Sequence, residues 1–274
     1  MNKINIKEFD TKKELFKFLV SNKNTLIAQK KSVIKHSDVI NYVTKLYEKD
    51  DVVKEFSNKE LSNLSELEEI NVISVMNTTN IIDSHLDLHV KGLWTKTLKE
   101  NKMLMHLQEH DMKFDKIIAD GKDLKAKVQN MQWKELGFDF DGETQALIFN
   151  SKIKKERNTF MFKQYGNGFV RNHSVGMRYI KLLMAINDAD YEEEYKIWEK
   201  YYQLAVNKET ADFYGYFWVV KEAQLHEGSA VPLGSNIATP TLEIKNEPFS
   251  DTQKKSLSDT FIDYNFLIKN IKLT

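Results

Sequence analysis

The stretch Phe169-Val170-Arg171-Asn172-His173-Ser174-Val175-Gly176-Met177-Arg178 decides how this chain is read. Ser174 is followed by Val-Gly, so a small hydroxyl side chain stands beside a residue without a Cβ, where another group can approach the backbone closely. The turn Gly166-Asn167-Gly168 leads into this segment, which reads as a strand. All three arginines of the chain, Arg157, Arg171 and Arg178, lie around this point, and the other cationic side chains are lysines. Arg presents a fixed fork of donors that Lys cannot copy. Taken alone, these residues describe either a nucleophilic serine or a strand end with a surface serine and solvated charges.

Composition bounds the answer. With 274 residues the chain can form one sizeable domain with appendages, or two small ones. Hydrophobic residues at 41% and charged residues at 29% describe a soluble globular protein. The formal net charge of zero supplies no field toward nucleic acid or an anionic membrane, and neither is expected as a partner. The absence of Cys removes disulfides, thiolate metal sites and a cysteine nucleophile. No apolar run approaches the ~20 residues of a membrane helix. Met1-Asn2-Lys3-Ile4-Asn5-Ile6 lacks the apolar core of a signal peptide, so secretion is not expected.

Three regions are expected: an N-terminal helical and extended segment over 1–69, a core over 70–240, and a linker with an amphipathic helix over 241–274. Thr11-Lys12-Lys13-Glu14 has capping-box spacing ahead of Leu15, Phe18 and Leu19 and predicts a helix ending near Ser21-Asn22. Leu26-Ile27-Ala28 and Val33-Ile34 read as extended. Residues 36–68, polar and charged, with a second capping box at Ser57-Asn58-Lys59-Glu60, read as a helical or mobile insertion. From Ile70 to Met76 the β-branched texture predicts a strand. Consecutive strands follow over 115–153, then a helix over Lys154–Phe162. The stripe Tyr191, Tyr195, Trp198, Tyr202 and Ala205 reads as the core face of a further helix, and Phe213–Val220 as an aromatic strand. All three prolines, Pro232, Pro240 and Pro248, fall in one window that reads as the exit from the core. Leu257, Phe261, Tyr264, Ile268 and Ile271 give the last segment one apolar face, suited to its own domain, to a partner or to another copy of the chain.

Four motifs in order resemble those of the prohead maturation serine proteases of tailed phages. Asn172-His173-Ser174-Val175-Gly176-Met177 is similar to that family's Ser-(Ile/Val)-Gly-Phe nucleophile motif. Asp83, Asp87 and Gly92 match its Asp-x-x-Gly-Asp and following turn, with Trp94 where the family has Phe, Leu86 in place of the first Gly and Lys91 in place of Pro. Met103 to Asp111 resembles the apolar strand that ends in a His, here His110. Glu227, Ser229, Val231 and Asn236 match the family's Glu-x-Ser-x-Val and distal Asn, although Pro232 departs from the pattern. The resemblance spans roughly residues 70 to 240.

What this resemblance implies is an α+β fold with a mixed or antiparallel sheet or barrel core surrounded by helices, related to the herpesvirus assembly proteases. It implies a serine endopeptidase in which Ser174 attacks, His110 is the general base and Glu227 orients His110, with no cofactor and no metal. Arg171 or Arg178 could assist backbone N–H groups in holding the oxyanion. The substrates implied are the phage major capsid protein and the scaffold, and the protease itself. The place implied is the immature prohead in the host cytoplasm.

The chemistry needs such a set. A Ser hydroxyl is a weak nucleophile until a neighbour takes its proton, and a neutral imidazole does this near neutral pH. A carboxylate on the imidazole's other nitrogen fixes the tautomer and favours the imidazolium. His226 competes with Glu227 for this position, because the herpesvirus enzymes use a second His. Neighbours on a strand point to opposite faces, so one of the two reaches His110. Leu225, Ser229 and Val231 share the phase of Glu227, which puts that face inward and selects Glu227. Ser174 itself is expected to be exposed at a strand end.

Two other classes fit parts of the sequence. His85/His89 and His106/His110 have the four-residue spacing of paired metal ligands, as in a metal-dependent hydrolase, but lack the Glu that such pairs enclose. A non-catalytic capsid assembly or scaffold protein is the third reading, and it leaves the retention of His110, Ser174 and Glu227 without a purpose.

Overall fold

The β-branched run from Ile70 is the middle of a strand, β1 (Glu69–Thr78), and it is buried on both faces for most of its length. The computed structural model describes residues 9–35, 61, 63–101 and 103–246. The helix expected after Pro248, the second capping box and most of the 36–68 insertion lie outside the described residues.

β1 is flanked by β6 (Glu143–Lys154) and β9 (Thr241–Lys245), and β6 by β5 (Leu124–Gln132). Together they make an antiparallel sheet in the order β5-β6-β1-β9. The second sheet is mixed and is organised around the 16-residue β8 (Tyr216–Val231). One edge of β8 is paired antiparallel along its length by β7 (Asn172–Ile186). The other edge carries two short parallel strands in tandem. β2 (Asp87–His89) pairs with Trp218–Val220, and β3 (Met105–Gln108) pairs with Gly228–Ala230. β4 (Ile117–Asp120) then pairs with β3. Between β2 and β3, the helix α3 (Thr95–Glu100) covers the open edge: Thr97 Oγ1 accepts the Leu225 N–H, and Asn101 just beyond it donates to the Leu225 carbonyl. The chain is thus α+β, with one antiparallel and one mixed sheet.

The main core lies between the sheets. Met76, Leu147 and Phe149 of the first sheet are buried in one cluster with Val175, Met177, Val220 and Leu225 of the second. Apolar side chains here are removed from water on both sides, which is the dominant favourable term in folding.

α1 (Lys12–Ser21) starts where its sequence indicates, with Thr11 Oγ1 accepting the Glu14 N–H. Its Leu15, Phe16 and Leu19 enter the main core. Leu26-Ile27-Ala28, expected to be extended, is instead helical, within α2 (Lys23–Ser32). Asn22 both ends α1 and opens α2, and Leu26 and Ile27 lean on the same core. These helices therefore pack on the same core as the two sheets. At the other end β9 runs to Lys245, so the core extends past the boundary drawn at residue 240.

The helix expected over Lys154–Phe162 starts later. Lys154 still belongs to β6, and Asn158 caps α4 (Thr159–Gly166) by accepting the Met161 N–H. The aromatic stripe lies on and just beyond α5 (Glu192–Tyr202), where Trp198 and Ala205 are buried against Phe217 and Val219 of β8. A short helix, α6 (Lys208–Tyr214), occupies the start of the expected aromatic strand, and Gly215 at φ 72° turns the chain into β8. Among the described residues no helix is long and apolar enough to cross a membrane.

Candidate active site

Ser174 is the third residue of β7, and its register partner on β8 is Ser229. Directly opposed residues on antiparallel strands project to the same side, with Cβ atoms about 4.5–5.5 Å apart. The next residue on that side of β7 is Gly176, whose partner is Glu227. Val175 and Met177 point the other way, into the main core. One side of the β7–β8 ribbon therefore presents Ser174, Ser229 and Glu227 together.

His110 reaches this side from the end of β3. Glu109 and His110 both have positive φ, 54° and 60°. Two consecutive residues in the left-handed region fold the chain back over β8, a conformation uncommon outside Gly, Asn, Asp and His, and Glu109 is none of these. The Glu109 N–H donates to the Ala230 carbonyl, and the His110 N–H donates to Ser229 Oγ at 3.1 Å. The imidazole then meets Glu227, with Nδ1 2.6 Å from Oε1. Ser229 Oγ donates to the second oxygen, Oε2, also at 2.6 Å. An ionised carboxylate only accepts, so Nδ1 carries the proton and Nε2 holds the lone pair in the neutral ring.

The expected trio therefore converges: His110 and Glu227 are in contact, and Ser174 stands on the same side of the ribbon. The expectation that Ser174 is exposed is corrected, since the residue is 5% exposed. The phase argument that selected Glu227 is also corrected. β8 carries a bulge at His226, because Met177 pairs with Leu225 while Gly176 pairs with Glu227. The extra residue reverses the alternation. Leu225 lies with Met177 in the main core, and Glu227 faces the opposite side.

Two further residues of this site stand in the motifs of the sequence without an assigned chemical role there. Ser229 is hydrogen-bonded to both His110 and Glu227. Gly176 leaves the space that Glu227 uses, since a Cβ on Gly176 would lie 2.1 Å from Glu227 Oε1. The Val-Gly pair after Ser174 was the signal for a close approach, without naming the group that approaches. Of the arginines, Arg171 and Arg178 are exposed, and Arg178 follows Ser174 and Gly176 on the same side of β7. Arg157 is bound elsewhere, to Asp120 at 2.6 Å. Asn236 ties the loop after β8 to β1 by donating to the Thr78 carbonyl and accepting from Thr78 Oγ1.

The four histidines of the metal-hydrolase reading sit in three places. His110 faces Glu227. His106 lies in a buried network with Ser151 and Tyr165. His85 and His89 adjoin Asp83 and Asp87. Among the described residues, Asp83, Asp87 and His89 form the one group with three ligand atoms close enough for a metal ion. Two ammonium groups already contact those carboxylates. Lys35 Nζ lies 2.7 Å from Asp83 and 2.8 Å from Asp87, and Lys30 Nζ lies 3.0 Å from the other oxygen of Asp87. The Tyr179 hydroxyl donates to Asp87 as well. Burial opposes every charge here. The attraction of Lys35 nevertheless holds Asp83 below the usual carboxylate range, Lys30 and Lys35 hold Asp87 well below it, and the two Asp hold Lys35 above its ordinary value. Burial pushes His85 and His89 down to about 4, so both are neutral imidazoles at pH 7. The cluster reads as an ion lock between the end of the N-terminal helices and the sheet.

Leu86 stands at the left-handed position, φ 59°, where the phage pattern has Gly. Its N–H is held by the Asp83 carbonyl, and its own carbonyl accepts the Trp218 N–H. Comparison with family models, with curated proteins and with solved structures finds no match to this chain.

Proposed function

We propose that the chain is a serine endopeptidase of the kind that matures phage proheads, cleaving capsid and scaffold proteins and itself. The observation that carries this reading is the 2.6 Å contact between His110 Nδ1 and Glu227 Oε1, on the side of β8 where Ser174 stands opposite Ser229. In the mechanism, His110 Nε2 takes the Ser174 proton as Oγ attacks the scissile carbonyl. Glu227 stabilises the imidazolium formed in that step, and His110 then returns the proton to the leaving amine. Water repeats the attack on the acyl-enzyme and frees Ser174.

The α+β core, with a mixed sheet flanked by helices, is the class of core that the resemblance to the phage and herpesvirus assembly proteases calls for. The test is co-expression of the intact chain, or of Ser174→Ala, with the phage major capsid and scaffold proteins. Cleavage of capsid, scaffold or the protease itself by the intact chain and none by the variant is the expected result. Equal cleavage by both would remove the reading.

A further inference from the structure

The opposite side of the same ribbon carries a second set of polar groups, fully buried, that the mechanism above does not use. His173 precedes Ser174 on β7, and His106 lies four residues before His110 on β3. These two strands do not pair with each other. They pair with opposite edges of β8, two strand spacings apart, about 9.5 Å. Their partners on β8 are Gly228 for His106 and Ala230 for His173. Both rings lie on this side of β8, and their centroids come within 6.1 Å. The Tyr165 hydroxyl of α4 joins them, 3.0 Å from His106 Nε2 and 2.9 Å from His173 Nε2.

The far ends of this bridge fix every proton in it. His173 Nδ1 lies 2.8 Å from the Thr239 carbonyl oxygen, which only accepts, so Nδ1 carries the hydrogen. His173 Nε2 is then an acceptor and takes the Tyr165 hydroxyl proton. The Tyr165 oxygen accepts in turn from His106 Nε2–H. His106 Nδ1, the remaining acceptor, takes the hydroxyl proton of Ser151 at 2.9 Å. Each ring is neutral, and each polar atom in the chain has its partner. Such a network is satisfied in one arrangement of the strands, which makes it specific as well as stable.

We propose that Tyr165 is a positioning residue, whose hydroxyl holds β3 and β7 at the separation that brings the His110 imidazole to the side of the ribbon where Ser174 stands. The geometry is direct: one oxygen is bonded to the strand that leads to the base and to the strand that carries the nucleophile. The neighbour of each bonded histidine, one or four residues on, belongs to the candidate site on the other side of the ribbon. This inference rests on the reading of Ser174 and His110 as nucleophile and base.

The test uses the full chain and a fluorophosphonate probe, which needs no knowledge of the peptide substrate. In labelling, the Ser174 Oγ–P bond forms, the P–F bond breaks, fluoride leaves and the hydroxyl proton passes to His110. Tyr165→Phe keeps the ring and removes the bridging oxygen; if it does not fold, His106→Gln removes the β3 half of the bridge. The maximal labelling rate should fall at least about tenfold with the probe's half-saturating concentration nearly unchanged, because misplacement of reacting groups acts on the chemical step. A buried variant far from the site with the same loss of Tm, such as Ile148→Val, should label at the wild-type rate. In parallel, the His110 Nδ1 proton resonance should shift or broaden in Tyr165→Phe. A folded Tyr165→Phe that labels at the wild-type maximal rate, or keeps the His110 resonance unchanged, would overturn the positioning role. If the wild type does not label, or labels equally in Ser174→Ala, the protease reading falls, and the His110 resonance alone decides whether Tyr165 positions the strand.

Discussion

The His110 imidazole and the Glu227 carboxylate lie 2.6 Å apart although 117 residues separate them in the chain. The contact requires the parallel pairing of β3 with β8, the left-handed pair Glu109-His110 and the space over Gly176.

Glu227→Gln keeps the shape of the side chain and removes the charge that favours the His110 imidazolium. Turnover should fall by about 10²–10⁴-fold, the range for loss of a base or of its orienting carboxylate. His226→Ala should change it little, because His226 occupies the β8 bulge and Glu227 makes the contact. Steady-state kinetics on a capsid-derived peptide checks both, and the reverse ranking would move the orienting role to His226.

Gly176→Ala adds one carbon at 2.1 Å from Glu227 Oε1. Glu227 cannot retreat without giving up His110 or Ser229, so the variant should lose both activity and stability. Overpacking of this kind costs about 1–3 kcal/mol. Thermal melts and probe labelling together test it, and a variant that labels normally at unchanged Tm would show that the Glu227 carboxylate is not held as described.

Lys35→Met should destabilise the fold by about 3–5 kcal/mol, the range for breaking a buried ion pair and leaving the partner charge behind. Lys30 remains, but it reaches Asp87 and not Asp83 in the ion pairs formed. The N-terminal helices should loosen first, since Lys35 also pairs backbone to backbone with Met177. Urea denaturation measures the loss, and a change below about 1 kcal/mol would show that the charges are better solvated than their burial indicates.

Stability should fall steeply with acid. Burial pushes His85, His89 and His173 down to about 4 and His106 to about 3. In the unfolded chain a histidine titrates near ~6.5. The unfolded state therefore binds protons first as the pH drops, and the stability these neutral rings represent is whole above ~6.5 and lost between there and the folded values. Each ring contributes about 1.4 kcal/mol per pH unit across that window. Asp83 and Asp87, held below the usual carboxylate range, add stability above ~4 that is lost as the pH falls further. Thermal melts from pH 8 to pH 4 should show a steep fall in Tm below ~6.5, and a flat profile would contradict the buried neutral rings.

Much of the architecture is legible in local pattern. β1 follows from β-branched texture, α1 from its capping Thr11, and the buried face of α5 from helical spacing. That His110, Ser174 and Glu227 come to one side of the ribbon is legible because each lies in a short motif, and motifs survive without knowledge of register. The phase of Glu227 is not legible, because a single extra residue at His226 reverses alternation and nothing local marks the bulge. The roles of Lys30 and Lys35 are hidden for a different reason. A lysine that will be buried looks like a solvated one until its carboxylate partners, some fifty residues away, are in place. Tyr165 carries no motif and His106 reads as one half of a ligand pair, since the bridge that joins them to His173 spans three elements.

An activated Ser174 nucleophile is tested most directly by mass-spectrometric mapping of the intact chain after fluorophosphonate treatment. One phosphonylated residue, Ser174, is expected in the peptide containing Asn172-His173-Ser174-Val175-Gly176, with labelling lost in His110→Ala although Ser174 is still present. An unmodified Ser174, or equal labelling in His110→Ala, would contradict it.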